Sequence, residues 1–270
     1  KNNNDEIVYY KNNNIILNNK SKINYIIHCA GNAHDKNYSI SNLDNEKKFT
    51  LQLLNLCKNS DVEKFIFISS IKVNGENTYK EKFSENNKIK PYGLYAINKM
   101  KIENMIQRFF DKNTCNYYIL RLPIVIGDSA KGNLYKMFKF INKYKFFINV
   151  KTINTRSFLS INNLNNLVLK IIYSDKKIQD IFLVCNNETF CVNDILINLK
   201  KLNISFFVIN FNYYLLLLIF TILNKKDIFN KLFLSQDINN SKVKNTFSWN
   251  PENDLNNNLE KMFRSFKINE

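Results

Sequence analysis

Short apolar runs alternate with segments of helical spacing along this chain, and this alternation limits the possible fold more than any other feature. The runs INYIIHCAG (23–31), KFIFISS (64–70) and YYILRLPIVIG (117–127) are rich in β-branched and aromatic residues and end in glycine or serine. The segments FTLQLLNLCKNS and KMKIENMIQRFF lie between them and have the apolar spacing of helices. A fourth run, IFLVCN, precedes the helical segment VNDILINLKKL. The order predicts an α/β fold with a doubly wound parallel sheet.

Polar and small residues follow the predicted strands where a parallel sheet binds its ligands. Such sheets hold ligands at the carboxyl ends of their strands. Gly31, Ser69, Ser70 and the turn after Pro123 all fall at such ends. We therefore expect the functional site at this edge.

The stretch SFFVINFNYYLLLLIFTIL (205–223) is close to the length of a membrane helix, which needs about 20 apolar residues. Asn210 and Asn212 interrupt it. We favour a strand at FFVINF that leads into a buried helix at YYLLLLIFTIL. A weak membrane contact through this stretch is the alternative.

The chain is strongly basic, with 39 Lys+Arg against 23 Asp+Glu and a formal net charge of +16. Such a balance suits nucleic acid or an anionic membrane. However, Lys, Asn and Ile are abundant along the whole chain, and no nucleic-acid motif is present. We attribute the charge to compositional bias and expect no nucleic-acid partner.

The cysteines and histidines do not form a metal pattern. Five cysteines are present and none forms a CxxC pair, which favours buried thiols in a reducing, cytoplasmic setting. His28 and His34 lack partners spaced as metal ligands. We expect no metal site.

The segment YAINK carries a tyrosine and a lysine one helical turn apart, Tyr95 and Lys99. A free tyrosine has a pKa of about 10, and a neighbouring ammonium lowers that pKa by favouring the phenolate. With the hydroxyl of Ser70 nearby, the three side chains would form a proton relay for oxidation of an alcohol or reduction of a ketone, with hydride exchanged with a nicotinamide.

Each of these signals is weak alone. A YxxxK pattern arises easily by chance in a chain with 14 tyrosines, and two serines at a strand end are ordinary. Tyr92 is a decoy, because Ala96 stands four residues after it. The order of the two motifs and their α/β context make the combination much more specific.

The motifs together resemble those of the extended short-chain dehydrogenases/reductases, in the sugar-nucleotide epimerase/dehydratase family. YIIHCAG resembles the family's strand that lines the cofactor, FIFISSIKVNGE its serine strand and YAINKMKIE its Tyr-x-x-x-Lys helix. LRLPIVIGDSAKGN, TRSFLSINNLNNLV and SKVKNTFSWNPE resemble its later segments, so the match runs in order from about residue 22 to about 264.

The resemblance implies a Rossmann-like domain over residues 1–127 and 151–185, and a smaller substrate-binding cap over 128–150 and 186–270. It implies NAD or NADP as cofactor, a nucleotide sugar as substrate and a homodimer. The implied catalytic residues are Ser70, Tyr95 and Lys99. The implied cofactor contacts are His28, Ala30, Gly31, Ser69, Tyr95, Lys99, Pro123 and Ile124. The implied substrate contacts are Lys72, Asn133 and Arg156, whose guanidinium suits a diphosphate.

Two features depart from the family pattern. No GxxGxxG turn can be drawn from the five glycines, and the match begins at what should be the fourth strand. We expect that the first strands are missing, that the residue selecting NAD or NADP is missing with them, and that this chain alone binds NAD(H) poorly. NEKKFT stands where the family shows N-V-x-G-T, with Phe49 in place of Gly and Glu46 or Asn45 in place of Asn, so this position receives no role here.

Two classes of function remain open. SSIKVNGE and GDSAKGN most resemble the branch that acts at C4 of UDP-N-acetyl sugars for surface polysaccharides, either a 4-epimerase or a 4-ketoreductase. A dehydratase ranks lower, since Ile71 stands where that enzyme wants an acidic residue. The second class is an inactive or regulatory member that binds a sugar nucleotide or a dinucleotide.

Overall fold

The computed structural model describes residues 23–29, 31, 39–78, 81–111, 115–128, 132–150 and 154–268. Its strands are β1 Tyr25–His28, β2 Lys64–Ser70, β3 Asn116–Leu122, β4 Ile124–Ile126, β5 Phe146–Val150, β6 Arg156–Ser160, β7 Gln179–Leu183, β8 Thr189–Phe190 and β9 Phe207–Phe211. Its helices are α1 Ile40–Asn59, α2 Gly93–Phe110, α3 Asn133–Tyr144, α4 Ile161–Ile172, α5 Val192–Lys201, α6 Tyr213–Ile222, α7 Lys226–Phe233, α8 Ser241–Phe247 and α9 Leu255–Ile268.

The main sheet has four parallel strands in the order β1-β2-β3-β7. Alternate residues of each strand point to opposite faces, and each face is covered by helices. Phe65 and Phe67 of β2 pack against α1 and α2, whereas Ile66 packs on the side of α4 and α8. The predicted doubly wound parallel α/β fold is confirmed.

The start of β2 is tied to the far end of α4 by a buried lysine. Lys64 donates from Nζ to the carbonyl oxygens of Ile171, Ile172 and Ser174, at 3.0, 2.6 and 2.5 Å. These carbonyls lie at the carboxyl end of the helix, where a cation is favourable. The amino end of the strand is therefore fixed to the opposite layer.

Pro123 divides the predicted third strand in two. β3 ends at Leu122 in the main sheet, and β4 leaves that sheet to pair in parallel with β6. Proline has no N–H to donate to a ladder, so a change of sheet at this residue costs no hydrogen bond. β6 also pairs with β8 in antiparallel fashion, and β5 pairs with β9 in parallel.

A second core lies beyond the carboxyl edge of the main sheet. It is built from α3, α5, α6, α7 and α9, with side chains of β4 to β6 and β9. Most of the segments predicted as a cap contribute to it. One segment of the predicted cap packs elsewhere, because Val243, Phe247 and Trp249 lie with α4 against the main sheet. The proposed division into two domains stays a prediction.

The stretch 205–223 forms the predicted strand, β9, and the predicted helix, α6. The expectation that this helix is buried is wrong, because Leu216 is its single buried residue. Tyr214 and Ile222 are 77% and 71% exposed. The helix rests on the outside of the second core and packs only one side against it. Among the described residues, no helix has the length and apolar character needed to cross a membrane.

Candidate active site

A cavity of about 650 Å³ lies between the carboxyl edge of the main sheet and the second core. The loops after β1, β2 and β3 form one wall, and residues of α2 to α5, α7, α9, β6 and β8 contribute to the rest. This is the edge at which the sequence predicts the site. The predicted residues that line the cavity are Gly31, Ser69, Ser70, Lys72, Tyr95, Lys99, Pro123, Ile124, Asn133 and Arg156.

The end of β2 places two serines in different environments. Ser70 starts the tight turn Ile71–Val73 and accepts a hydrogen bond from the N–H of Lys72 at 3.3 Å. Its side chain also hydrogen-bonds Tyr95. Ser69 donates instead to Glu103 of α2 at 2.5 Å. The Ser70 hydroxyl therefore lies beside Tyr95, whereas the Ser69 hydroxyl is held by Glu103.

Tyr95 and Lys99 follow each other by one turn of α2 and both face the cavity. The Lys99 Nζ lies 5.9 Å from the centroid of the Tyr95 ring and donates to the carbonyl of Ile68 at 3.2 Å. A Cβ on Gly31 would stand 2.8 Å from this Nζ, so a larger residue there would displace the Lys99 ammonium. Ser70, Tyr95 and Lys99 are therefore together in space, and their catalytic roles remain predictions.

The pKa of Tyr95 differs from the expectation that an ammonium lowers it. Burial, followed by the charge of Glu46, raises the pKa of Tyr95 to about 12, and the hydrogen bond with Ser70 acts in the opposite direction. Burial lowers the pKa of Lys99, while the charges of Glu46, Cys29 and Glu103 raise it. The burial of Tyr95 and the charge of Glu46 thus raise the pKa of Tyr95, against the lowering expected from the Lys99 ammonium.

Glu46 of α1 is the site residue that sequence reasoning missed. It is buried, and its Oε2 accepts from the side-chain amide of Asn98 at 2.7 Å. Its Oε1 lies 3.9 Å from the point where a Cβ of Gly31 would stand, which is also beside the Lys99 Nζ. The one available signal was a carboxylate in NEKKFT at the family's Asn position.

A buried ion pair lies behind the serines. Arg121 of β3 donates from Nε and Nη2 to Glu103, with the shortest contact 2.6 Å, and from Nη1 to Asn74 at 2.9 Å. Because Ser69 donates to the same carboxylate, the network joins β2, β3, α2 and the turn after β2. It fixes the backbone from which Ser70 and Tyr95 project.

His28, a predicted cofactor contact, faces the core under the site. Its Nε2 lies 2.9 Å from the hydroxyl of Thr50, and its ring is packed among Phe49, Phe65 and Phe67. Burial, followed by the charge of Lys99, lowers its pKa to about 3, so the ring is neutral. From the same loop, Cys29 and Gly31 line the cavity; Ala30 lies outside the described residues.

Arg156, the predicted diphosphate ligand, lines the cavity but already holds the end of α7. Its Nη1 donates to the carbonyls of Lys231 and Leu234, at 3.0 and 2.9 Å, and its Nη2 donates to Gln236 at 3.3 Å. These contacts leave Nε and one N–H of Nη2 for another acceptor. A ligand in the cavity would meet a guanidinium whose orientation is fixed in advance.

Lys72 and Asn133 both line the cavity. The Lys72 Nζ lies 5.7 Å from the centroid of the Tyr95 ring. Burial, followed by the charge of Lys231, lowers the pKa of Lys72. Asn133 is the first residue of α3. Within the described ranges, no group of three or more His, Cys, Asp or Glu side chains could hold a metal ion.

The parallel sheet, with its polar site at the carboxyl edge, defines a nucleotide-binding type of α/β protein. Residues 10–184 match the NAD dependent epimerase/dehydratase family, and the chain belongs to this family of sugar-nucleotide enzymes. It is 30% identical over 253 residues to the UDP-glucose 4-epimerase of Vibrio cholerae, with 89% of this chain and 76% of that protein covered.

Solved structures show the same fold at lower identity. A UDP-glucuronic acid 4-epimerase from Bacillus cereus in complex with NAD is 20% identical with a TM-score of 0.71, covering 91% of this chain and 75% of that one. A UDP-N-acetylglucosamine 4-epimerase from Methanobrevibacter ruminantium, in complex with UDP-N-acetylmuramic acid, is 18% identical with a TM-score of 0.73, covering 92% and 77%.

Proposed function

We propose that this protein oxidises and reduces C4 of a UDP-linked, N-acetylated hexose with NAD or NADP, as a 4-epimerase or 4-ketoreductase in surface polysaccharide synthesis. The observation that carries the proposal is the convergence of Ser70, Tyr95 and Lys99 at the carboxyl edge of the sheet. Similarity to a UDP-glucose 4-epimerase supports the substrate class.

In this proposal Tyr95 exchanges a proton with the O4 oxygen of the sugar. Its phenolic oxygen takes the hydroxyl proton when the alcohol is oxidised and returns a proton when the ketone is reduced. Ser70 hydrogen-bonds Tyr95 and can hold the sugar oxygen at the same time, since a hydroxyl both donates and accepts. Lys99 fixes the electrostatic field at the phenol from one turn away.

The residues present fit a nicotinamide beside the triad. Because Gly31 has no Cβ, the space beside the Lys99 ammonium stays open. Pro123 and Ile124 give the cavity an apolar wall after β3. A bound nicotinamide supplies the hydride acceptor and donor that no side chain can provide. Several solved structures of this fold hold NAD or NADPH.

The cationic lining of the cavity suits the anionic part of a nucleotide sugar. Arg156, Lys72 and Lys231 bring three cationic side chains to the lining. Burial first, and then the charges of Lys231 and Arg156, lower the pKa of Lys72, so a ligand with negative charge would relieve the repulsion among the three cations. We place the protein in the cytoplasm because its five cysteines are free, and we propose a homodimer from the family resemblance.

The proposal is tested by incubating the chain with UDP-N-acetylglucosamine or UDP-glucose and a large excess of NAD, because the chain alone is expected to bind NAD(H) poorly. Both the C4 epimer and NADH are followed. We expect turnover that is lost in Tyr95→Phe and reduced in Ser70→Ala. Tyr92→Phe is the matched control, because Tyr92 lies at the start of the same helix and has no lysine four residues on. Turnover that survives Tyr95→Phe would remove the triad from the mechanism.

An inactive or regulatory nucleotide-binding member is the second candidate, and one observation favours it. The pKa of about 12 at Tyr95 makes the phenol a poor proton acceptor near neutral pH. Calorimetry with the same nucleotides separates the two candidates. Binding without turnover in the presence of either NAD or NADP supports the regulatory role, whereas turnover excludes it.

A further inference from the structure

Helix α6 presents to solvent an apolar surface that the second core leaves uncovered. Four large side chains recur along its outer side, each between 49% and 77% exposed: Tyr214, Leu215, Leu218 and Ile222. We refer to these four residues as the apolar face. The other side of the helix packs into the core, with Leu216 buried. A helix that is apolar on all sides is normally enclosed by protein or lipid.

The polar side chains of Asn212 and Thr221 are hydrogen-bonded within the segment itself. The Thr221 hydroxyl donates to the carbonyl of Leu217 at 2.7 Å. At the start of the helix, the side-chain oxygen of Asn212 accepts from the N–H groups of Tyr214 and Leu215. The helix therefore loses little when water is removed from its outer side, because unsatisfied groups are what make transfer to an apolar medium costly.

Lysines lie on both sides of this uncharged segment along the chain. Lys225 and Lys226 follow two residues after the helix and are exposed. On the other side, the Lys200 ammonium lies 5.9 Å from the ring of Phe206. The stretch 205–224 contains no charged residue, and Asp227 is the nearest acidic residue along the chain.

We propose that the apolar face docks on the surface of an anionic phospholipid bilayer, with α6 lying in the plane of the interface and the flanking lysines against lipid phosphates. The helix has 10 residues and is about 15 Å long, roughly half the hydrocarbon thickness of a bilayer. It can therefore lie on a membrane but not cross it. Apolar side chains flanked by lysines are typical of helices that lie in a membrane interface.

Charge decides between lipid and a second copy of the chain. A twofold interface places the same patch of both copies together. Lys225 and Lys226 of each copy would then lie at an interface with a second protein whose formal net charge is also +16. Anionic phosphates attract the same lysines. The positive charge of the lysines beside the apolar face thus favours lipid over a second copy of the chain.

The test is co-sedimentation of the 270-residue chain with vesicles of phosphatidylcholine, with and without phosphatidylglycerol. We expect binding to the anionic vesicles that falls as salt is added. Leu218→Gln/Ile222→Gln should weaken it about tenfold or more, since these changes remove apolar surface. Lys225→Ser/Lys226→Ser should weaken it by a similar factor. Vesicle binding by both variants is measured without any enzymatic activity.

Matched controls are available on the main-sheet side of the molecule. Leu51 and Leu169 are 46% and 51% exposed, and Leu51→Gln/Leu169→Gln should leave vesicle binding unchanged. Lys58→Ser/Lys101→Ser removes two exposed lysines from α1 and α2 and should have little effect. A loss equal to that of Lys225→Ser/Lys226→Ser would overturn the proposal in favour of net charge. A dimer that dissociates in Leu218→Gln/Ile222→Gln, without vesicle binding, would also overturn it.

Discussion

Glu46 brings a buried carboxylate to the side of Lys99 that faces α1. Its negative charge disfavours the Tyr95 phenolate and favours the Lys99 ammonium, so it opposes the activation expected from a Tyr-Lys pair. The sequence alone could not reveal this, because Glu46 lies far from Lys99 along the chain. Only the packing of α1 against α2 brings them together.

Glu46→Gln keeps a side-chain oxygen that can accept the hydrogen bond from Asn98, but it removes the negative charge. We expect the pKa of Tyr95 to fall from about 12 toward its ordinary value, and the pKa of Lys99 to fall as well. The first change is measured by the ultraviolet absorbance of the phenolate during a pH titration. The titration of Glu46→Gln/Tyr95→Phe is subtracted from that of Glu46→Gln, so that the difference reports Tyr95. An unchanged titration would mean that burial alone sets the pKa.

The neutral His28 links folding to pH. Its pKa is lowered to about 3 in the folded chain and is about 6.5 when unfolded, so protons favour the unfolded state. Its contribution is complete above about pH 6.5, and stability is lost as pH falls toward 3, at about 1.4 kcal/mol per pH unit. Urea unfolding of His28→Gln should lack this slope, whereas His34→Gln, at the chain's other histidine, should keep it.

At the scale of elements, the strands and helices that carry the site can be predicted from local sequence patterns. The contacts that these elements make with the rest of the fold cannot. The buried run at β2 and the helical spacing of α2 predict both elements and the order of Ser70 and Tyr95. The exposed side of α6 could not be predicted in this way, because an all-apolar helix gives no sign of which side lacks a neighbour. Likewise, the two carbonyls held by Arg156 depend on where α7 ends in space.

The Glu103–Arg121 pair joins α2 to β3 behind the site. Arg121→Met leaves the Glu103 carboxylate buried without its partner, and we expect a loss of about 3–5 kcal/mol in the free energy of unfolding. Glu103→Leu/Arg121→Met should recover most of it, since both charges are gone. Arg264→Met, in an exposed pair of α9, should cost only about 0.5 kcal/mol. Equal losses in urea unfolding would argue against a special cost of burial.

At the scale of the whole molecule, the cavity lies between two separate cores, so a ligand in it contacts both. If UDP binds there, it should raise the free energy of unfolding by about 2.7 kcal/mol at a hundredfold excess over its Kd. Arg156→Ala should weaken UDP binding by about 1.5–3 kcal/mol, the range for hydrogen bonds to charged groups.

Calorimetry measures the affinity, and thermal unfolding without ligand controls for the loss of the contacts that Arg156 makes to α7. Arg156→Lys is the matched variant, because it keeps the charge and loses the planar fork. UDP affinity that stays the same in both variants would rule out the diphosphate role.

The tie between Lys64 and α4 has a consequence for thermal motion. Strand β2 is held at its amino end by three carbonyls of the opposite layer and at its carboxyl end by the hydrogen bond from Ser69 to Glu103. A strand that is anchored at both ends fluctuates with a small amplitude along its length. Ser70 therefore returns to nearly the same place in each fluctuation, and the most slowly exchanging amides of the protein should lie in β2.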